Sequence, residues 1–183
     1  MNVLLTGQRQ VGKTAVCKQA AELARGLGYD PAGVLTPVVL NKDGFPAIRY
    51  ALMVSDGQQR LLAWANGELR GPRTSRYSFD ANVFSWVIGR LRAAISQGCD
   101  LLIVDEIGPL ELEQGKGLSP LLSDLSAEGL PPLLLVVRPE LAGRLQERLP
   151  DVPFRIFTVT QENRQHLPNT IIKELFAEHD RGK

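Results

Sequence analysis

Gly7-Gln8-Arg9-Gln10-Val11-Gly12-Lys13-Thr14 spaces two glycines so that a lysine and a hydroxyl follow the second one directly. That spacing suits phosphate. Gly7 and Gly12 accept backbone angles and close approaches that a Cβ forbids. The N–H groups between them then converge on one point as an anion nest. Lys13 adds a point charge for β- and γ-phosphates, and Thr14 offers a hydroxyl to Mg²⁺. The nucleotide-binding set is therefore Gly7, Gln8, Arg9, Gln10, Val11, Gly12, Lys13 and Thr14, with Lys13 also catalytic.

A second group of chemical residues lies far along the chain. Leu101-Leu102-Ile103-Val104 is a continuous apolar run that ends in Asp105-Glu106. A buried parallel strand has this composition, and its C-terminal end opens on the site. Asp105 is placed to hold Mg²⁺ directly or through water. Glu106 is placed to polarise an attacking water as general base. A carboxylate pair at a strand end also suits a helix cap or a solvated turn; the phosphate loop upstream favours the catalytic assignment. The polar segment 67–78 carries Arg70, Arg73 and Arg76. It is either a solvated surface loop or a flexible lid that brings an arginine finger to the phosphates. Arg138 ends a second apolar run, Leu133 to Val137.

These residues need elements to hold them. Met1 to Leu5 reads as a short strand, and Thr14 to Leu27 as a helix whose positive end faces the phosphates. Residues 33–40 read as one strand, with Pro37 marking an edge or a bulge. Asn41 to Gly44 is a turn, and strands return at 47–54 and 60–64. Residues 33–78 thus form an antiparallel insertion with a flexible loop. Asp80 caps a helix that Gly98 stops. A helix is expected over 117–127, a strand over 133–137, and a helix from Pro139 to Arg148. A last strand over 152–159 and an amphipathic helix from Pro168 to Glu178 complete the chain. The alternation predicts an α/β fold: a mainly parallel sheet in three layers with a small antiparallel insertion, in a single domain spanning 1–183.

Composition limits the partners. The chain has 183 residues, 44% hydrophobic and 22% charged, which suits one globular core. A net charge of +1 gives no electrostatic case for nucleic acid or an anionic membrane. Cys17 and Cys99 have neither metal spacing nor a disulfide framework, and read as inert thiols. The first apolar run is too short for a signal peptide, and none approaches membrane-spanning length. A cytoplasmic protein is the expectation. Nothing in the sequence specifies an oligomeric state.

Four stretches together resemble a known family: the nucleoside-triphosphatases known from thermophiles and, in animals, as cancer-related nucleoside-triphosphatase, within the P-loop NTPases. They are Gly7 to Thr14; Arg76-Tyr77; Ile103-Val104-Asp105-Glu106-Ile107-Gly108-Pro109-Leu110-Glu111-Leu112; and Val159-Thr160-Gln161-Glu162-Asn163-Arg164 with Leu167-Pro168. The resemblance implies slow, Mg²⁺-dependent hydrolysis of ATP, GTP and other nucleoside triphosphates, tolerant of the base. It implies Asp105 for the metal and Glu106 for the water; in the leading hypothesis Arg76 or another loop arginine stabilises the transition state. Glu111 matches a family acid, with a structural salt bridge as an alternative role. Asn163 and Arg164 match a segment that borders the base or forms a structural turn. The sequence departs from the pattern at Pro37-Val38-Val39, where Glu and Arg are usual. It also has Ser75-Arg76-Tyr77 for Gly-Lys-Tyr and Val136-Val137-Arg138 for Thr-Val-His. Two alternatives remain on the same residues: a nucleotide or small-molecule kinase, and a nucleotide-gated binding module.

Overall fold

The computed structural model describes residues 1–177. The chain begins with β1 (Asn2–Thr6) and passes through the phosphate loop into α1 (Lys13–Gly26). Next come β2 (Pro31–Leu35) and an antiparallel excursion of β3 (Val38–Leu40), β4 (Pro46–Met53), β5 (Gln59–Trp64) and β6 (Ser78–Phe79). Helix α2 (Ala81–Gln97) returns the chain to β7 (Leu101–Ile107). Two short helices, α3 (Pro109–Leu112) and α4 (Ser119–Asp124), precede β8 (Leu133–Val137). A 3-10 turn at Pro139–Leu141 enters α5 (Ala142–Arg148), followed by β9 (Phe154–Thr158) and α6 (Leu167–Phe176).

The strands form one sheet in the order β6-β5-β4-β2-β7-β8-β1-β9, with β3 paired to β4. The run β2-β7-β8-β1-β9 is parallel throughout. Strands β3 to β6 join it antiparallel, through β4 on β2. Side-chain alternation splits the core into two layers. Val3, Leu5, Leu101, Ile103, Leu134 and Val136 pack with α1 and α6. Leu4, Leu102, Val104, Leu133, Leu135 and Val137 pack with α2, α4 and α5. Strands buried on both faces read as uninterrupted apolar runs for this reason.

Local signals set several boundaries as the sequence suggests. The Asp80 side chain accepts from the Asn82 N–H at 2.8 Å and starts α2. Gly98 ends it at φ 80°. Other expectations need correction. The strand expected over 33–40 is two strands. At Thr36 the backbone N–H turns to the Asp105 carboxylate (2.9 Å), and Pro37 has no N–H to extend a ladder. Residues 33–35 therefore belong to β2 of the parallel core, with Gly33 and Val34 paired with β7, and the antiparallel insertion begins at β3. The helix expected over 117–127 is confined to α4. Helix α3 was not expected; four residues are too few for a periodic pattern. Glu178, the expected end of the last helix, lies outside the described residues.

Candidate active site

The phosphate loop spans the gap between β1 and α1 in an unusual backbone. Gly12 is the α1 N-cap at φ 111°, and Gln10 has φ 61°. A Cβ on Gly7 would stand 2.8 Å from the Val159 carbonyl oxygen, so the segment after β9 is packed against the loop. The first turn of α1 has no acidic residue to offset its positive end. The Lys13 ammonium donates to the carbonyls of Gly7 and Gln8, both at 2.7 Å, and so spans the loop it serves. Burial, the largest cause, pulls its pKa below the ordinary lysine value; Asp105 opposes this, Arg138 adds to it, Glu140 opposes and Arg49 adds. The ammonium thus lies in the field of four further charges from three other elements.

Sheet order explains which charges these are. Strand β8 lies between β1 and β7. Arg138, directly after β8, therefore rises between the phosphate loop and the carboxylates. Asp105 on β7 is 2% exposed. Its Oδ2 accepts from the Thr36 N–H at 2.9 Å and the Thr36 hydroxyl at 3.3 Å. Its Oδ1 takes no hydrogen bond from the described residues. One oxygen is oriented and the other is open, as a metal-ligating carboxylate with an orienting partner would be.

Glu106 occupies a distinct kind of position. Pairing of β7 with β8 slips between Val104 and Ile107. On β7, odd-numbered Leu101 and Ile103 face one core layer, yet Ile107 faces the other. The switch of face falls at Glu106, whose φ is 72°. Positive φ in a non-glycine residue costs of order 1–3 kcal/mol and persists where its surroundings enforce it. Gln10 and Glu106 are the non-glycine residues with positive φ among the described residues, and both lie at this site. The bulge takes the Glu106 carboxylate out of the alternation and up to the sheet edge. There Arg49 Nη1 pairs with Oε2, and Arg138 Nη2 pairs with Oε1 at 3.2 Å. Side-chain exposures of 17% for Arg49 and 20% for Arg138 leave these ion pairs poorly screened. Arg49 reaches Glu106 because β4 runs past the end of β2: Leu35 pairs with Leu52, and Arg49 lies beyond it, paired with Val38.

With the geometry in place, comparison with known proteins fixes the family. A family model described as NTPase matches residues 2–172. The chain belongs to the NTPase family. A Thermofilum pendens protein named nucleoside-triphosphatase THEP1 is 30% identical over 178 residues, covering 95% of this chain and 94% of its own length. A Methanopyrus kandleri protein of the same name is 29% identical over 179 residues, covering 95% and 94%. The solution structure of a human cancer-related nucleoside triphosphatase superposes with a TM-score of 0.74 at 26% identity, over 97% of this chain and 98% of that one. The crystal structure of THEP1 from Aquifex aeolicus, at 18% identity and a TM-score of 0.73, has the same fold.

Within this family frame, the sequence-predicted residues fall into two groups. Lys13, Asp105, Glu106 and Arg138 come together at the C-terminal edge of the parallel strands. Arg70, Arg73 and Arg76 do not join them: all three are exposed, and Arg73 pairs with Glu68 at 3.3 Å. Their loop is fastened at its base. The Ser78 hydroxyl donates to the Gly67 carbonyl at 2.6 Å, and the Ala81 N–H donates to the Arg70 carbonyl at 3.1 Å. Glu111 forms no salt bridge with a described residue; its carboxylate caps the N–H groups of Gly108 (2.9 Å) and Leu118 (3.1 Å). Asn163 forms a turn: Oδ1 accepts from the Thr160 N–H at 2.9 Å, and Nδ2 donates to the Thr158 carbonyl at 2.8 Å. Arg164 lies along the phosphate loop, its Cδ 3.5 Å from where a Gly12 Cβ would stand. Sequence reasoning missed Thr36 and Arg49. The signal for Arg49 was a lone charge among Ala47, Ile48, Tyr50, Ala51, Leu52 and Met53. A half-buried arginine in such a strand needs a counter-charge.

Proposed function

We propose that the chain hydrolyses nucleoside 5'-triphosphates, ATP and GTP among them, to the diphosphate and inorganic phosphate, slowly and with broad tolerance of the base. The observation that carries this is Glu106: a carboxylate lifted from its strand by a bulge, on the sheet edge shared with Lys13 and Asp105. The loop from Gly7 to Thr14 holds the phosphates, and Lys13 neutralises the β- and γ-oxygens. Glu106 orients the water and takes its proton. Thr14 and Asp105 fit Mg²⁺, a hard cation that uses few protein oxygens and keeps its remaining sites for phosphate and water. When bound, the ion supplies charge neutralisation between the β- and γ-phosphates. Thr36 keeps the Asp105 carboxylate in place for it. Arg138, with its charge beside both Lys13 and Glu106, belongs to the phosphate cover.

Base tolerance has its own support. Asn163, the polar side chain best placed by the family motif to read a base, has both its amide groups bonded within its own turn. With Asn163 engaged in its own turn, that side chain does not read the base, and kcat/KM for the four ribonucleoside triphosphates should agree within about tenfold. The decisive test is Glu106→Gln with Mg²⁺ and ATP or GTP. Phosphate release should fall roughly 10²–10⁴-fold while nucleotide binding persists. Wild-type protein that released no phosphate from any of the four would end the hydrolase assignment. No helix among the described residues is long and apolar enough to cross a membrane. The cytoplasm, with its supply of Mg²⁺-bound triphosphates, is the proposed setting.

A further inference from the structure

We propose that Arg49, from the antiparallel insertion, is the catalytic cation for the γ-phosphate, and that it alternates between two anions: the Glu106 carboxylate it grips in this structure and the γ-phosphate of a bound triphosphate. This rests on the hydrolase assignment and adds a residue and a trigger to it.

Three observations carry it. Both Glu106 oxygens are occupied by arginines, Oε2 by Arg49 and Oε1 by Arg138. A water oriented by Glu106 needs one of these oxygens, so at least one arginine must make way for it. Second, the Arg49 guanidinium has no other hydrogen-bonding partner among the described residues. Arg49 lies where β4 runs beyond the end of β2, and its guanidinium carbon is 5.3 Å from the Tyr77 ring. The ring is buried, and its hydroxyl has no hydrogen-bond partner among the described residues. Tyr77 offers a face along which a planar cation can pivot, with no fixed acceptor to retain it. Third, Arg49 and Arg138 both act on the Lys13 ammonium, so they already stand within the electrostatic reach of the phosphate loop.

A γ-phosphate outcompetes a carboxylate for arginine. It carries more charge and presents three oxygens to the planar fork. A bound diphosphate, its terminal phosphate at the β position, leaves the γ position empty. Triphosphate binding therefore draws Arg49 off Oε2, and this same movement frees Glu106. The water oxygen then bonds to Pγ, the bond from Pγ to the β,γ-bridging oxygen breaks, and its electron pair stays on the diphosphate. The water proton passes to Oε2 of Glu106 and from there to solvent. Tyr77 acts through Arg49 as a positioning residue.

The test measures two quantities in wild type, Arg49→Ala and Arg49→Lys: kcat with Mg²⁺–ATP, and the ratio of affinities for a non-hydrolysable ATP analogue and ADP. Arg49→Ala should lower kcat by roughly 10²–10³-fold. Its analogue-to-ADP affinity ratio should fall by about tenfold or more, with ADP affinity unchanged within about twofold. Free guanidinium should restore part of the kcat. Arg49→Lys keeps the charge and guards against misfolding; it should retain an intermediate ratio because it lacks the fork. Two results would overturn the proposal. One is an unchanged ratio in a folded Arg49→Ala. The other is a kcat that rises, which would make Arg49 only a restraint on Glu106. The affinity ratio reads Arg49 even if no phosphate is released, so failure of this proposal and failure of the hydrolase assignment are separable.

Discussion

The floor of the site takes consecutive residues, Gly7 to Thr14, between one strand and one helix. Its cover takes Arg49 from the middle of β4, Arg138 from the end of β8, and Tyr77 from just before β6. The floor is local. Two glycines, a helix start and a lysine determine its shape whatever follows. The cover is assembled by topology: Arg138 reaches Glu106 because β8 lies between β1 and β7, and Arg49 because β4 overruns β2. Under the proposed function, the floor binds what all nucleotides share. The cover, under the same proposal, meets what distinguishes a triphosphate from its product. A binding energy divided this way lets the cover vary without loss of nucleotide affinity.

The strongest test of that division is Lys13→Ala. Loss of the floor cation should reduce kcat by roughly 10²–10³-fold and weaken ATP analogue and ADP together. Calorimetry on both ligands checks this; an ADP affinity unchanged within about twofold would break the division, because the floor would then not carry the common phosphates. Gly33→Ala comes next and probes the junction where the cover departs from the core. Gly33 has φ 147°, and a Cβ there would penetrate the backbone of Ile103 on β7. The variant should lose about 3 kcal/mol of stability in urea unfolding. A loss below about 0.5 kcal/mol would mean that β2 and β7 can separate freely and that the β4 overhang is not pinned by them. Thr36→Val is smaller. It keeps the backbone donor to Asp105 and removes only the hydroxyl contacts at 3.3 and 3.4 Å. The Mg²⁺ concentration for half-maximal hydrolysis should rise about tenfold. No change would leave the backbone N–H as the sole orienting group.

The same division governs what the sequence made legible. The floor, the Asp105-Glu106 pair and four of the five parallel strands were readable because each is a local pattern, glycine spacing or an apolar run, whereas β2 was read as part of the antiparallel insertion. Arg138 was noticed because it ends such a run. Arg49 was not, because nothing near it in sequence shows that β4 extends beyond β2 or that a bulge at Glu106 lifts a carboxylate to meet it. Arg76 drew attention for the opposite reason. A loop rich in glycine, proline and arginine reads as a lid, while the bonds that fasten it run to Trp64, Gly67 and Ala81, positions whose spatial closeness only the sheet defines. The strand expected over 33–40 shows a milder form of this. Its residues suit a strand throughout, and the break at Thr36 comes from a carboxylate on β7.

Glu111 belongs to neither region, yet it ties the chain directly after Glu106 by capping Gly108. It gives the smallest effect, one with a sign that can be worked out. Its carboxyl pKa lies above the ordinary glutamate value; burial is the largest cause, opposed by the N–H groups of Gly108 and Leu118. The folded protein therefore holds this proton more tightly than the unfolded chain does. The associated stability is fully present below the unfolded value and is lost as pH rises through the folded one. Glu111→Gln cannot titrate, so the wild-type stability advantage over this variant should be greatest in acid and shrink towards neutrality. Urea unfolding of both proteins from about pH 4 to about pH 7 measures the difference. The variant also gives up one acceptor oxygen, an offset of about 1 kcal/mol that does not vary with pH. The slope, not the offset, is therefore diagnostic. A difference that grew with pH would mean that the two backbone donors outweigh burial, and that an ionised carboxylate is what holds the turn behind Glu106.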